Sequence, residues 1–331
     1  MEEWPNAKQR QAEVSAYDRH HIVTGGADRW LRVWNADTSR ELTGLGDSAG
    51  PVDAVAVLPG PDGRHRIVTG GGWGVRIWDA DTGRLLAQLT GSETDSVRAV
   101  AVLPGPDDRY RIVTGGSGES VRMWDSETGR QLTQLRAPHT RKSNPFAPGG
   151  IGSVRAVAVL PSLDGQHHIV TGGDDPTVRI WDPDTGRKLT ELTAHTGAAH
   201  AVAVLSGSDG RHRVITASDD KSVRIWDVDT GHELSQLTGH TDWVRAVAVL
   251  PGPDGRHRIV TGSYDKSVRI WDPDTGRELA ELTAHTGAVT AIVSLPGPNG
   301  QPRIITGGND MMVTIWATQS DTAAPSEAST W

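Results

Sequence analysis

The chain repeats one phrase. Residues 178–197 read VRIWDPDTGRKLTELTAHTG, residues 223–242 read VRIWDVDTGHELSQLTGHTD, and residues 268–287 read VRIWDPDTGRELAELTAHTG. Runs of this type end at Trp34, Trp78, Trp124, Trp181, Trp226, Trp271 and Trp316. A unit of ~45 residues therefore fills almost all of the chain seven times. What one unit does, all must do. A unit too small to bury its own faces has to bury them on its copies.

Within a unit the apolar period is two, not that of a helix. In the sixth unit VRAVAVL (244–250) alternates, PGPDG turns, RHRIVTGS is a second strand and YDK a tight turn. SVRIWD is a third strand, PDTGR a turn and ELAEL (278–282) a fourth. The 39 Gly and 19 Pro suit this many turns and oppose helix. The expected fold is all-β. Seven four-stranded antiparallel sheets stack radially, so each covers its neighbours' faces. The innermost strand sits where space is tightest, which explains Ala-Val-Ala-Val. The outermost can be more polar.

The period, the G-H near unit starts and the W-D of the third strand resemble the WD-repeat (WD40) β-propeller family over roughly residues 13–317. The Gly-, Ala-, Arg- and Asp-rich usage resembles bacterial repeat proteins. The resemblance implies a seven-bladed β-propeller of four-stranded antiparallel blades. It also implies a structural network in which a turn Asp holds a His, the His meets a Thr hydroxyl, and that hydroxyl accepts from the indole N–H. The matching sets are His195, Thr216, Asp220 and Trp226; His240, Thr261, Asp265 and Trp271; His285, Thr306, Asp310 and Trp316. A catalytic Thr–His–Asp reading is the rival, but catalysis does not need one triad in several units. The sequence itself supports coupling within the network. Units two and three carry Ser48 and Ser92 for His, and Gly72 and Gly118 for Asp. Both partners are missing together, as expected where a stranded buried polar group costs about 1–3 kcal/mol. Unit four keeps Asp175 and has His139 as its candidate partner.

Closure of the ring needs an outer strand for unit seven. EWPNA aligns with ELAEL, so residues 2–8 are expected to close the last blade of a 1–317 propeller. Residues 318–331 are then expected to be a disordered tail.

Composition narrows the partners. A net charge of −8 argues against binding nucleic-acid backbone. No apolar run reaches a membrane span, and MEEWPNAKQRQ is not a secretory signal. The chain has no Cys, which removes thiolate chemistry and cysteine-ligated zinc. A cytoplasmic protein without cofactor or metal, monomeric on its own, is expected.

Binding residues are expected in the variable loops at one end, the top, where strand four leads to strand one and strand two to strand three. Trp243, Tyr264, Trp73 and Trp30 are large aromatics in otherwise polar turns, and each either anchors a partner or caps a neighbouring blade. Asp53, Arg98, Arg155, His200, Arg245 and Thr290 share one place at the start of the inner strand. They would form a cationic collar able to take an acidic peptide or a carboxylate, unless each Arg pairs with a nearby Asp. Phe146 lies in the long insertion 136–152. The expected function is a non-enzymatic scaffold that binds a protein or peptide across the top, centred on Trp243, Tyr264 and Arg245. The alternative is a small-ligand binder or hydrolase using the central channel.

Overall fold

The computed structural model describes residues 12–16, 21–45, 50–60, 64–72, 74–89, 96–105, 109–139, 152–161, 166–207, 211–252, 256–296, 302–317 and 328–330. Their strands form seven four-stranded antiparallel sheets, each pairing in sequence order. The chain is a seven-bladed β-propeller.

The inner strands are Ala12–Ala16, Val52–Pro59, Val97–Pro104, Val154–Pro161, Ala199–Ser206, Val244–Pro251 and Val289–Pro296. Each packs on the inner strands of both neighbouring blades. Ala12–Ala16 touches Val52–Pro59 on one side and Val289–Pro296 on the other, which closes the ring. Their alternating Ala and Val wall the central channel, where a larger side chain would collide across the axis.

The core lies between blades. Seven apolar clusters each join two successive sheets. Ile215, Ile225 and Leu237 of blade five, for example, meet Val244, Ile259 and Trp271 of blade six. The last cluster joins Leu295 and Ile305 of blade seven to Ile22 and Ala36 of blade one. Full burial of one such side chain stabilises by about 1.5–3 kcal/mol, and the repeat delivers it at every interface.

The tight turn that follows the third strand in blades one to six rests on local chemistry. Asp272 Oδ1 accepts from the N–H of Asp274 at 3.0 Å and of Thr275 at 2.9 Å, and Gly276 supplies the positive φ of 68°. In blade one Asn35 takes the Asp role, accepting from Asp37 and Thr38 at 3.0 and 2.9 Å. There Ser39 accepts a φ of 57° where blades two to six use Gly. Arginines of the second strand then stitch blade to blade at the bottom. Arg66 bonds Glu127 at 3.0 Å, Arg111 bonds Asp184 at 2.8 Å and Arg213 bonds Asp274 at 3.1 Å. Across the seam, Arg303 donates to the Ala36 carbonyl at 2.9 Å and pairs with Asp37 at 2.9 Å.

The outer strand of blade seven corrects the sequence expectation. Ala328–Thr330 pairs with Val313–Ala317 in the register Trp316↔Ala328, Ile315↔Ser329, Thr314↔Thr330. The C-terminal segment assigned to disorder therefore supplies this strand. Residues 2–8, expected there, lie outside the described residues. The physical reason is that an open sheet edge offers backbone N–H and C=O groups. These select for an extended segment within reach, not for apolar alternation.

Candidate functional site at the channel mouth

Six blades carry the same irregularity at the top of the inner strand. Val154 pairs with Gly173 and Ala156 with Gly172, so Arg155 is an extra residue that pairs with nothing. The same shift leaves out Asp53, Arg98, His200, Arg245 and Thr290. This is a β-bulge, which re-aims one side chain out of the ladder. All six residues line one cavity of ≈ 470 Å³ at the channel mouth. Blade one has no such shift, and from it Val14, the counterpart of Val55, lines the cavity.

The collar is less cationic than the sequence suggests, because counter-charges come from the turns beside it. Arg155 donates through Nε to Asp174. Arg245 lies 3.3 Å from Asp219 and donates through Nη1 to His200 Nδ1 at 2.8 Å. His200 Nε2 in turn faces Asp219 Oδ2 at 3.1 Å. Burial pushes the His200 pKa down to about 4, with the Arg245 charge adding to it against the pull of Asp219. The imidazole is therefore neutral at pH 7, and it accepts from Arg245 while donating to Asp219. Burial also raises the pKa of Asp53 despite the Arg98 charge and a Ser96 hydrogen bond. At Asp174 burial acts upward as well, but the Arg155 charge and bond outweigh it and hold the carboxyl low. Asp174 and Asp219 were missed in the sequence. Their signal was the doubled Asp at 174–175 and 219–220, in which only the second residue fits the network.

Trp243, Tyr264 and Arg245 do come together. The rings sit 5.4 Å apart, and the Arg245 guanidinium lies 4.8 Å from one centroid and 5.0 Å from the other. Neither aromatic stands free, since both are half-buried and spend one face on the arginine. Trp30 stands apart in blade one, 45% exposed, with Arg32 over its ring at 5.8 Å. Trp73 and Phe146 lie outside the described residues.

The buried networks sit between this mouth and the blade cores. Every blade has its Trp indole N–H donating to a Thr hydroxyl, at 2.8–3.0 Å. In blades five, six and seven His195, His240 and His285 place Nε2 at 2.7, 2.8 and 2.8 Å from Thr216, Thr261 and Thr306. Their Nδ1 atoms face Asp220, Asp265 and Asp310 at 2.8, 2.8 and 2.9 Å. Blade four does the same with His139, 3.1 Å from Thr171 and 2.6 Å from Asp175. Two further members escaped the sequence reading. Ser222 and Ser267 donate to Asp220 and Asp265 at 2.6 and 2.7 Å, and both precede V-R-I-W. The Thr hydroxyls are unsuited to attack a substrate. Thr216, Thr261 and Thr306 have no exposed surface and are held between an indole and an imidazole. Among the described residues no three His, Asp or Glu side chains gather as a metal site.

Comparison with known proteins agrees with this architecture. No curated protein sequence matches the chain. The crystal structure of the WD40 β-propeller domain of Doa1 superposes with a TM-score of 0.72 at 21% identity, covering 95% of this chain and 94% of that one. The "WD domain, G-beta repeat" family matches residues 83–125, 148–182, 186–227, 231–272 and 276–317. The match lies on the repeated Trp–Asp strands and turns described above, and the chain belongs to the WD40 repeat family.

Proposed function

We propose that this chain is a non-enzymatic scaffold that binds a protein or extended peptide across the top of the propeller. WD40 propellers are in general protein-interaction scaffolds, and the finer reading rests on one observation. Blades that are near copies elsewhere place Asp, Arg, Arg, His, Arg and Thr at the one bulged position aimed into the channel mouth. A purely structural position would have kept one residue type, as the Thr and Trp positions do. Beside this mouth the Trp243–Tyr264–Arg245 stack offers a rigid aromatic and guanidinium surface of the kind that dominates interfaces. Trp30 offers a separate exposed aromatic on blade one. The protein works as a monomer in the cytoplasm in this reading.

Affinity capture with the wild type beside a Trp243→Ala/Tyr264→Ala double variant tests it. Partners recovered by the wild type should be lost or strongly depleted with the variant. Recovery of the same proteins by both would remove the top-face site.

A further inference from the structure

The collar arginines are not equivalent, and the difference points to a ligand. Arg245 is held by Asp219, His200 and two aromatic rings, which cover its guanidinium. Arg155 bonds Asp174 through Nε alone, so both Nη nitrogens keep N–H groups to give. Arg98 is exposed and makes no hydrogen bond or ion pair with any described residue. Arg98 and Arg155 occupy the same bulged position in adjacent blades and line the same cavity. Their inner strands pack directly on each other, and after partial burial the Arg155 charge lowers the Arg98 pKa against the pull of Asp174 and Asp53. Two guanidinium groups lining one cavity from adjacent blades, both with N–H groups to give, offer a site that one carboxylate can bridge.

We propose that Arg98 and Arg155 form a clamp for a single carboxylate, presented by a Glu or Asp side chain of a partner segment lying over the channel mouth. The neighbouring charges favour a carboxylate over a phosphate. Asp174 and Asp53 offset part of the positive charge around Arg98. The cavity therefore repels a dianion more strongly than a singly charged carboxylate. This inference rests on the top-face reading but makes a separate claim, since neither clamp residue belongs to the Trp243–Tyr264 stack.

The test uses a fluorescein-labelled octapeptide of alternating Glu and Ala, its Glu→Gln counterpart and its Glu→phosphoserine counterpart, titrated by anisotropy at fixed salt. The Glu peptide should bind the wild type. Its affinity should fall about tenfold or more in Arg98→Gln and further in Arg98→Gln/Arg155→Gln, and the Gln peptide should bind no better than to the double variant. Arg98→Gln breaks no hydrogen bond or ion pair with a described residue, and its melting temperature is measured beside its binding, so lost affinity at an unchanged melting temperature reports the clamp. Absent binding of the Glu peptide, equal binding by wild type and Arg98→Gln, or tighter binding of the phosphoserine peptide would each overturn the clamp. Capture by the Trp243–Tyr264 surface would survive those results, which keeps the two claims separable.

Discussion

At the scale of the residue, one hydrogen-bond relay recurs with different degrees of completeness. In blade five the indole of Trp226 donates to Thr216, the hydroxyl faces His195, and His195 faces Asp220. Replacing Asp220 by Gly leaves His195 Nδ1 with only the Ser222 hydroxyl at 3.4 Å in a buried site and should cost about 1–3 kcal/mol. Adding His195→Ser should recover part of that loss, because blades two and three carry this Gly and Ser combination. Urea denaturation of the single and double variants measures the coupling, and strictly additive costs would exclude it. His200 gives a second residue-scale prediction. Its folded pKa of about 4 lies below the ordinary value of about 6.5. The unfolded chain thus binds the extra proton first. This contribution to stability is complete above pH ~6.5 and is lost progressively toward pH ~4. A His200→Asn variant should show a flatter stability profile across that window. The Thr and Trp positions were legible in the sequence because they are invariant within the chain. Asp174 and Asp219 were not, since in a doubled Asp neither residue says which one faces the channel.

At the scale of the element, the alternation and turns identify four strands per blade, while the bulge that aims the collar leaves no mark of its own. It adds one residue to a strand without altering its apolar rhythm, so the collar's position was readable and its geometry was not. Blades differ in how well their second strands are tied. Thr69 accepts from its Trp, and Thr114 accepts from its Trp and donates to the Arg122 carbonyl at 3.4 Å, but neither meets a His among the described residues. Beside Gly72 nothing would meet an added Cβ. Amide hydrogen exchange should therefore be faster in His65–Gly71 and Tyr110–Gly116 than in His212–Ser218 and His257–Ser263. Uniform protection across all four strands would contradict this. The last outer strand was the harder element to read. EWPNA had an apolar pattern that matched, whereas Ala328–Thr330 offers only extended backbone. The pairing shows that backbone reach decides at a sheet edge.

At the scale of the whole molecule, stability depends on closing a ring of near-identical interfaces. The junction of blades seven and one differs from the others. Its apolar cluster is reinforced by the buried Arg303, bonded to the Ala36 carbonyl and paired with Asp37. Arg303→Ala should destabilise the protein by about 1–3 kcal/mol, with a lower melting temperature in a thermal scan. An equivalent Arg213→Ala change, at a more exposed pair, should cost less. Similar losses for both would show that the junction is an ordinary interface. Among the described residues each blade takes its four strands from one continuous stretch of chain. The wheel is therefore fastened like a bracelet pressed shut rather than one with an interlocked clasp. Pulling on its two ends would part blade one from blade seven first, and a whole blade could be gained or lost without rethreading any other.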